Sequence, residues 1–370
     1  MKNKSRNTEF YLDCNPIYFR PFLQTISIAF SVKFVDFKKS IILLALVLLT
    51  LFLANIAMGS VSISISEIIT ALFGKGENST FDQIIWQFRI PKAVTCILAG
   101  ATLSLSGLLM QTLFRNPLAG PDVLGLSSGA SLMVAIVILA GQSASLFFIA
   151  TNAWAVAIAA SVGAALVFLF VMALSNYIKD NASLLIVGLM IGATTASIVG
   201  VLQYVSRAED LQAFMIWTMG SVGATGWSEI LVLFISTIIG SGIALYFMKS
   251  LNGWLLGDNY ATSLGINIKH SRFWIVTATS LMAGAVTAFC GPIAFVGLAV
   301  PHLIRLIIPS TNHKVLIPAV MIGGAILLLF CDILAQLPGS TQILPLNAVT
   351  SIIGAPIVIW MIIKNKKIRV

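Results

Sequence analysis

Charge is what this 370-residue chain has least of: Asp, Glu, Lys and Arg together make up 9% of it, against roughly 25% in soluble domains. Apolar residues fill 58% of the chain and its mean hydropathy is +0.99, which excludes an ordinary soluble enzyme. Histidine is scarce as well. The three present, His270, His302 and His313, form no pair at metal or haem spacing. Four cysteines, Cys14, Cys96, Cys290 and Cys331, are scattered without a CxxC, so neither a disulfide framework nor a zinc site is expected. There is no GxxxxGK[ST] stretch, so the chain cannot power itself with ATP, and no HExxH or Ser-His-Asp arrangement suggests a membrane hydrolase. Asp332 alone among the carboxylates falls inside an apolar run. Ion-coupled carriers usually need several such groups, and often an internal repeat, neither of which is found. A lone acid near a helix end reads more simply as a hydrogen-bonding partner for a neighbouring helix.

What is present is a series of long apolar runs. They place spanning helices near 41–58, 93–114, 122–141, 152–175, 183–204, 228–248, 273–291, 292–309, 315–337 and 345–363. The fold class is therefore all-α, a polytopic membrane protein with about ten transmembrane helices, since a helix satisfies its own backbone in lipid. The eighth run is interrupted by Pro292 and Pro301. Residues 1–40 carry seven Lys or Arg around short apolar patches and read as a cytoplasmic extension, either solvated or lying along the membrane surface. Residues 41–370 form the transmembrane domain.

The distribution of basic residues tests the count. With ten crossings and the amino terminus inside, eighteen of the 22 Lys and Arg fall on the cytoplasmic side and only Lys75, Arg89, Lys92 and Arg207 outside. That is the bias expected of cytoplasmic loops. Both termini are then cytoplasmic, and the net charge of +9 is a topology signal rather than a nucleic-acid signature.

The stretch from Arg89 to Ala130 organises the chain. Between Ala93 and Phe114 no charge occurs, while Ala99, Gly100, Ala101, Ser104, Ser106 and Gly107 allow close helix approach. The outer loop of residues 59–90 ends in Arg89-Ile-Pro-Lys92. Its two charges sit on an exposed rim in this reading, either as helix-end anchors or as a docking patch for an acidic partner. On the inside, Arg115-Asn-Pro-Leu-Ala-Gly-Pro121 and Lys179-Asp-Asn-Ala-Ser183 are tight polar turns. They are ordinary helix connections, or the closure of a pore. Between Gly257 and Gly265, residues 259–264 have the composition of a short helix parallel to the membrane. Residues 207–229, rich in Met, Trp and Gly, are too broken to span and read as a short helix tucked into the outer half of the bundle.

Six motifs spread over residues 41–365 give the chain a family likeness. They are Arg89-Ile-Pro-Lys92; Gly107 with Gln111; Arg115-Asn-Pro-Leu-Ala119 with Leu124-Gly125; Leu256-Gly257 through Ala261 to Leu264-Gly265; Gly291-Pro-Ile-Ala-Phe-Val-Gly-Leu298 with Pro301-His302 and Arg305; and Gly354-Ala-Pro356. In these the chain resembles the permease subunits of the bacterial iron-siderophore, haem and vitamin B12 ABC importers, the type II importers.

The resemblance implies a homodimer around a central path, two cytoplasmic ATP-binding subunits, and a periplasmic or lipid-anchored substrate-binding protein in the inner membrane system of a bacterium. ATP and Mg would be bound by the partner ATPase, leaving this chain without cofactor, metal or catalytic residue. It implies coupling to the ATPase through Leu256, Gly257, Asp258, Ala261, Leu264 and Gly265. It implies a cytoplasmic gate at Asn116, Pro117, Leu118, Asn181, Ala182 and Ser183, and binding-protein docking at Arg89, Lys92 and Gln336. Members often carry Arg at the place of Gln336 and an acid near Gln342; this chain lacks both charges. A ferric siderophore is the first expected cargo, ahead of haem and cobalamin. Small and apolar residues on the second and fifth helices are expected to line a wide path.

Overall fold

The computed structural model describes residues 37–59, 63–72, 79–139, 153–175, 177–178, 181–336 and 343–365. The amino-terminal extension up to residue 36, Lys75, Lys179, Asp180 and Gln342 lie outside the described residues. Among the described residues there are helices and connecting segments and no strand.

Among the described residues seven helices are long and apolar enough to cross a membrane, and three shorter apolar helices bring the set to the ten expected. In chain order, α1 is Phe37–Ala57, α2 the short Ile65–Leu72, α3 Ser79–Ile84 and α4 Ile90–Phe114. A 3-10 turn, Pro121–Leu124, leads into α5, Leu126–Leu139, followed by α6, Ala153–Ser175, and α7, Asn181–Val205. Then come α8, Ala208–Thr218, α9, Trp227–Tyr246, α10, Met248–Trp254, and α11, Asp258–Ser263. The last four are α12, Ile268–Cys290, α13, Val296–Ile307, α14, His313–Ala335, and α15, Leu346–Asn365.

Helix α4 is the axle. It packs on α14, α12, α13 and α9, and its small residues bring backbones together. A Cβ on Gly100 would lie 2.3 Å from the Gly324 carbonyl oxygen, and one on Gly107 only 1.8 Å from that of Gly297. Only glycine fits at these crossings, and in lipid such close packing is a main source of helix association. Threonine hydroxyls add links across the core, Thr95 to Thr225 at 2.6 Å and Thr102 to Thr237 at 2.7 Å.

Three sequence expectations are corrected. The loop of residues 59–90 is largely helical at its end: α3 runs through a π-helical turn, Ile85–Arg89, into α4 as one apolar helix from Thr80 to Phe114. Pro91 lacks an amide and its ring crowds the preceding turn, and the wide turn, in which the Ile90 amide donates to the Ile85 carbonyl, takes up that misfit. Helix α4 is also too buried to line a path, its residues from Ala99 to Phe114 being enclosed by this chain's own helices.

The eighth run, finally, is a half-helix. Residues 291–295 are irregular and α13 has 12 residues. Irregular backbone at membrane depth survives because it is satisfied locally: the Cys290 carbonyl accepts from the Ser221 amide at 2.8 Å and the Ala294 amide donates to Asn347 Oδ1 at 3.1 Å. Gly291, at φ 70°, is the hinge of this break and faces the Trp217 carbonyl. That contact seats the end of α8, the 11-residue helix between Arg207 and Glu229, whose Phe214 is buried against α5.

Candidate functional site

The candidate residues fall at the two ends of α4. From Lys92 to Arg115 the helix rises about 35 Å at ~1.5 Å per residue, so the docking candidates and the gate and coupling candidates lie a membrane thickness apart.

At the Lys92 end, Arg89 is not on an exposed rim; it is 7% exposed. Its guanidinium donates to the carbonyls of Ile56 at 2.7 Å and Ala57 at 3.0 Å. The last turn of α1 contains no basic residue, so its unpaired carbonyls and negative dipole end are met by a cation from another helix. Gly59 leaves room for that side chain.

Lys92 is largely covered, its side chain 20% exposed, and ion-paired to Asp332 Oδ2 at 3.0 Å. The same oxygen accepts from Asn55 Nδ2 at 2.7 Å and Gln336 Nε2 at 2.9 Å. Asp332 thereby joins α1, α4 and α14, which is the neighbour-bonding role its isolation in an apolar run suggested. The three docking candidates Arg89, Lys92 and Gln336 are brought together around a cavity of about 400 Å3, which Gly220–Gly223 and Leu344 complete. The charges of Arg89 and Lys92 and the amide of Gln336 are already engaged within the chain. Sequence reasoning missed Asn55 and the Asp332–Lys92 pair. The available signal was a lysine bordering one apolar run and an aspartate near the outer end of another, at the same expected depth. Arg207 is apart from this cluster, exposed and 3.8 Å from Glu209.

At the Arg115 end, the motifs that carry the family likeness converge. Gly107 meets Gly297. Gln111 donates to the Leu298 carbonyl at 3.2 Å and accepts from Arg305 at 3.2 Å. His302 Nε2–H donates to the Pro117 carbonyl at 2.9 Å. Gly354 leaves space for Phe295, a non-glycine residue at φ 66°.

The turn itself is tight: Asn116 Oδ1 accepts from the Leu118 amide at 2.9 Å, and Leu118 is exposed. Of the second gate turn, Asn181, Ala182 and Ser183 form the start of α7. That helix packs on the 3-10 turn after Ala119, with Gly188 and Ile191 against Gly125.

The coupling candidates form the predicted short helix. Gly257, at φ 111°, and Gly265, at φ 77°, bracket α11, where those left-handed conformations suit glycine. Ala261 is wholly buried against the α10 face around Gly253, while Leu256 and Leu264 are 65% and 58% exposed and Tyr260 is half exposed. An anchored helix thus displays three apolar side chains at the end of the bundle. Asp258 pairs with Arg115 of the gate turn. Beneath them His313 Nδ1–H donates to Asn252 Oδ1 at 2.7 Å while its Nε2 meets the Thr112 hydroxyl at 2.8 Å, so α14 bridges α10 and α4. Among the described residues no group of three or more His, Cys, Asp or Glu is placed to hold a metal, and Cys96, Cys290 and Cys331 are buried free thiols.

The described residues form a multi-pass helical bundle with a closely packed axle and polar clusters at both ends, and comparison with known proteins identifies that architecture as a membrane transport permease of the ABC type. Residues 46–364 match the model of the FecCD transport family, and the chain belongs to that family. It is 35% identical over 332 residues to the hemin transport system permease protein HmuU of Yersinia pestis, covering 89% of this chain and 96% of that one. To the vitamin B12 import system permease protein BtuC of Salmonella typhimurium it is 34% identical over 285 residues, 76% of this chain and 84% of the relative. A solved structure, described as an inward-facing conformation of a metal-chelate type ABC transporter, superposes with a TM-score of 0.77 at 27% identity, covering 88% of this chain and 99% of that one.

Proposed function

We propose that this chain is the permease of an importer that carries a bulky metal chelate, a ferric siderophore first, across the bacterial inner membrane. It works as a homodimer with two cytoplasmic ATP-binding subunits and is fed by an external binding protein. ATP and Mg belong to the partner ATPase, and this chain contributes no catalytic residue. Both termini are cytoplasmic. Residues 1–40 are an extension and 41–370 the permease domain.

The observation that carries this reading is α11: a short helix held by a buried alanine, bracketed by left-handed glycines, with Leu256, Tyr260 and Leu264 displayed at the end of the bundle. A protein that needed no partner there would bury such side chains. On this reading the ATPase seats on α11. Asn116–Leu118 and Asn181–Ser183 close the path on the same side, and Arg89, Lys92 and Gln336 form the docking end. Because Arg89 caps α1 and Lys92 pairs with Asp332, docking at that end acts through rearrangement of these bonds rather than through free charges. Closure of the ATPases would then bias the bundle between outward- and inward-facing states.

A carrier of haem or cobalamin is the second reading, favoured by the names of the two relatives. Purification of the tagged chain from its native membrane should bring along a Walker-A ATPase and a solute-binding protein. Titrating that binding protein with ferric siderophores, haemin and cobalamin names the cargo. Haemin or cobalamin binding with no siderophore binding selects the second reading. Absence of both partners, with uptake driven by an ion gradient, overturns the importer.

A further inference from the structure

The gate turn and α11 are 143 residues apart in the chain yet meet through one ion pair, Arg115 to Asp258. Arg115 is an unusual residue for its place. It ends α4 at φ 46°, ψ 35°, a left-handed conformation that glycine or asparagine adopts at less cost. An arginine kept there points to its side chain rather than its backbone. Asp258 opens α11 directly after Gly257, whose positive φ makes the sharp entry possible. Arg272 of α12 stands within electrostatic range of both, attracted by Asp258 and repelled by Arg115.

Two further bonds set the frame for this pair. His302 holds the far side of the gate turn through the Pro117 carbonyl, and the buried His313 bridge fixes α10 to α4 beneath it. The deep bridge is enclosed, whereas Arg115 and Asp258 are both part exposed and free to separate and re-form.

We propose that the Arg115–Asp258 pair is the strut that carries movement of α11 to the cytoplasmic gate turn, making both positioning residues for transport. This rests on the importer reading given above, in which α11 seats the ATPase. A rigid-body shift of α11 then pulls on the residue immediately before Asn116, Pro117 and Leu118, without passing through the buried core of α4. Arg272 offers Asp258 an alternative partner when the strut opens, so the carboxylate need not be left unpaired in either state.

The test uses the full chain with its co-purified ATPase in proteoliposomes, with Cys14→Ser and Leu118→Cys introduced as a reporter. Thiol labelling at position 118 is followed with and without ATP. The pair predicts that Arg115→Glu, with the ATPase still bound, and Asp258→Arg each reduce the ATP-dependent change in labelling rate at least about fivefold, and that the swap Arg115→Asp with Asp258→Arg restores it to within about twofold. Arg115→Gly keeps the left-handed turn without strain and lacks the guanidinium, and it too should lose the response. A retained response in Arg115→Gly, or a swap no better than the single changes, overturns the strut. A parent complex that binds no ATPase overturns the importer reading itself, and the strut with it.

Discussion

Helices α4 and α7 are each 25 residues long and nearly equal in mean hydropathy, yet 83% of the most apolar stretch of the first is buried within the chain and 11% of that of the second. Both also contain glycines, two in α4 and three in α7. The difference lies in what approaches them. Gly100 and Gly107 of α4 touch the backbones of Gly324 and Gly297, whereas Gly200 of α7 has nothing within 4 Å of where a Cβ would stand. Along α7, Ile186, Leu189, Val201 and Tyr204 are exposed, Tyr204 by 90%. Hydropathy detects the bilayer, while only tertiary contacts distinguish an axle from a surface helix. The homodimer proposed above would bring a second copy of the chain to cover α7, which this chain alone leaves exposed.

The sharpest way to break the comparison is to add one methyl group to each helix. Gly107→Ala in α4 should cost about 3 kcal/mol, because the new Cβ meets a backbone carbonyl that cannot move aside, and it should lower the melting temperature of the purified protein and its yield. Gly200→Ala in α7 should leave the fold intact or stabilise it by up to about 1 kcal/mol through helix propensity. Equal losses at both positions would erase the distinction.

Asp332→Ala tests the polar end of the axle. It leaves Lys92 without its partner and removes the acceptor for Asn55 and Gln336, at a cost of about 2 kcal/mol, below the full value for an enclosed pair because Lys92 is part exposed. Asp332→Asn should cost less, and denaturation in detergent ranks the two. On the surface helix, Tyr204→Ala should change the stability of the single chain by no more than about 0.5 kcal/mol while lowering the dimer fraction in light scattering. The smallest effect belongs to α2, where the hydroxyl and amide of Ser64 hold the exposed Glu67 carboxyl below its ordinary range. That capping support is present above the ordinary glutamate pKa and is lost as pH falls below about 4. Hydrogen exchange of the α2 amides should accelerate there; Ser64→Ala, which keeps the backbone amide donor, should weaken that pH dependence, and Glu67→Gln should abolish it.

Much of this was legible in the residues. The ten apolar runs, the short helix between Gly257 and Gly265 and the tucked helix after Arg207 follow from periodicity and breakers alone. The small residues of α4 announced close packing. The remainder depended on long-range partners. Nothing local says that Arg89 reaches back 33 positions to cap α1, and an arginine beside a Pro at a span boundary reads as an exposed rim. Pro91 looked like the start of a helix because a π turn is invisible to a 3.6-residue pattern. The eighth run misled in the opposite sense: its apolar residues satisfy a spanning pattern, but Gly291-Pro292 breaks the ladder, and Asn347 and Ser221 are in place to satisfy the break. The motifs marked which residues matter without revealing that they touch one another, as Gln111 does Arg305 and Pro117 does His302.

The central proposal, that two copies of this chain pair in an ATP-driven assembly, is tested most directly by native mass spectrometry of the gently purified complex. The account predicts a mass equal to two copies of this chain and two ATPase subunits, with the dimer weakened by Tyr204→Ala. A particle containing one copy of this chain, stable and active in transport, would contradict it.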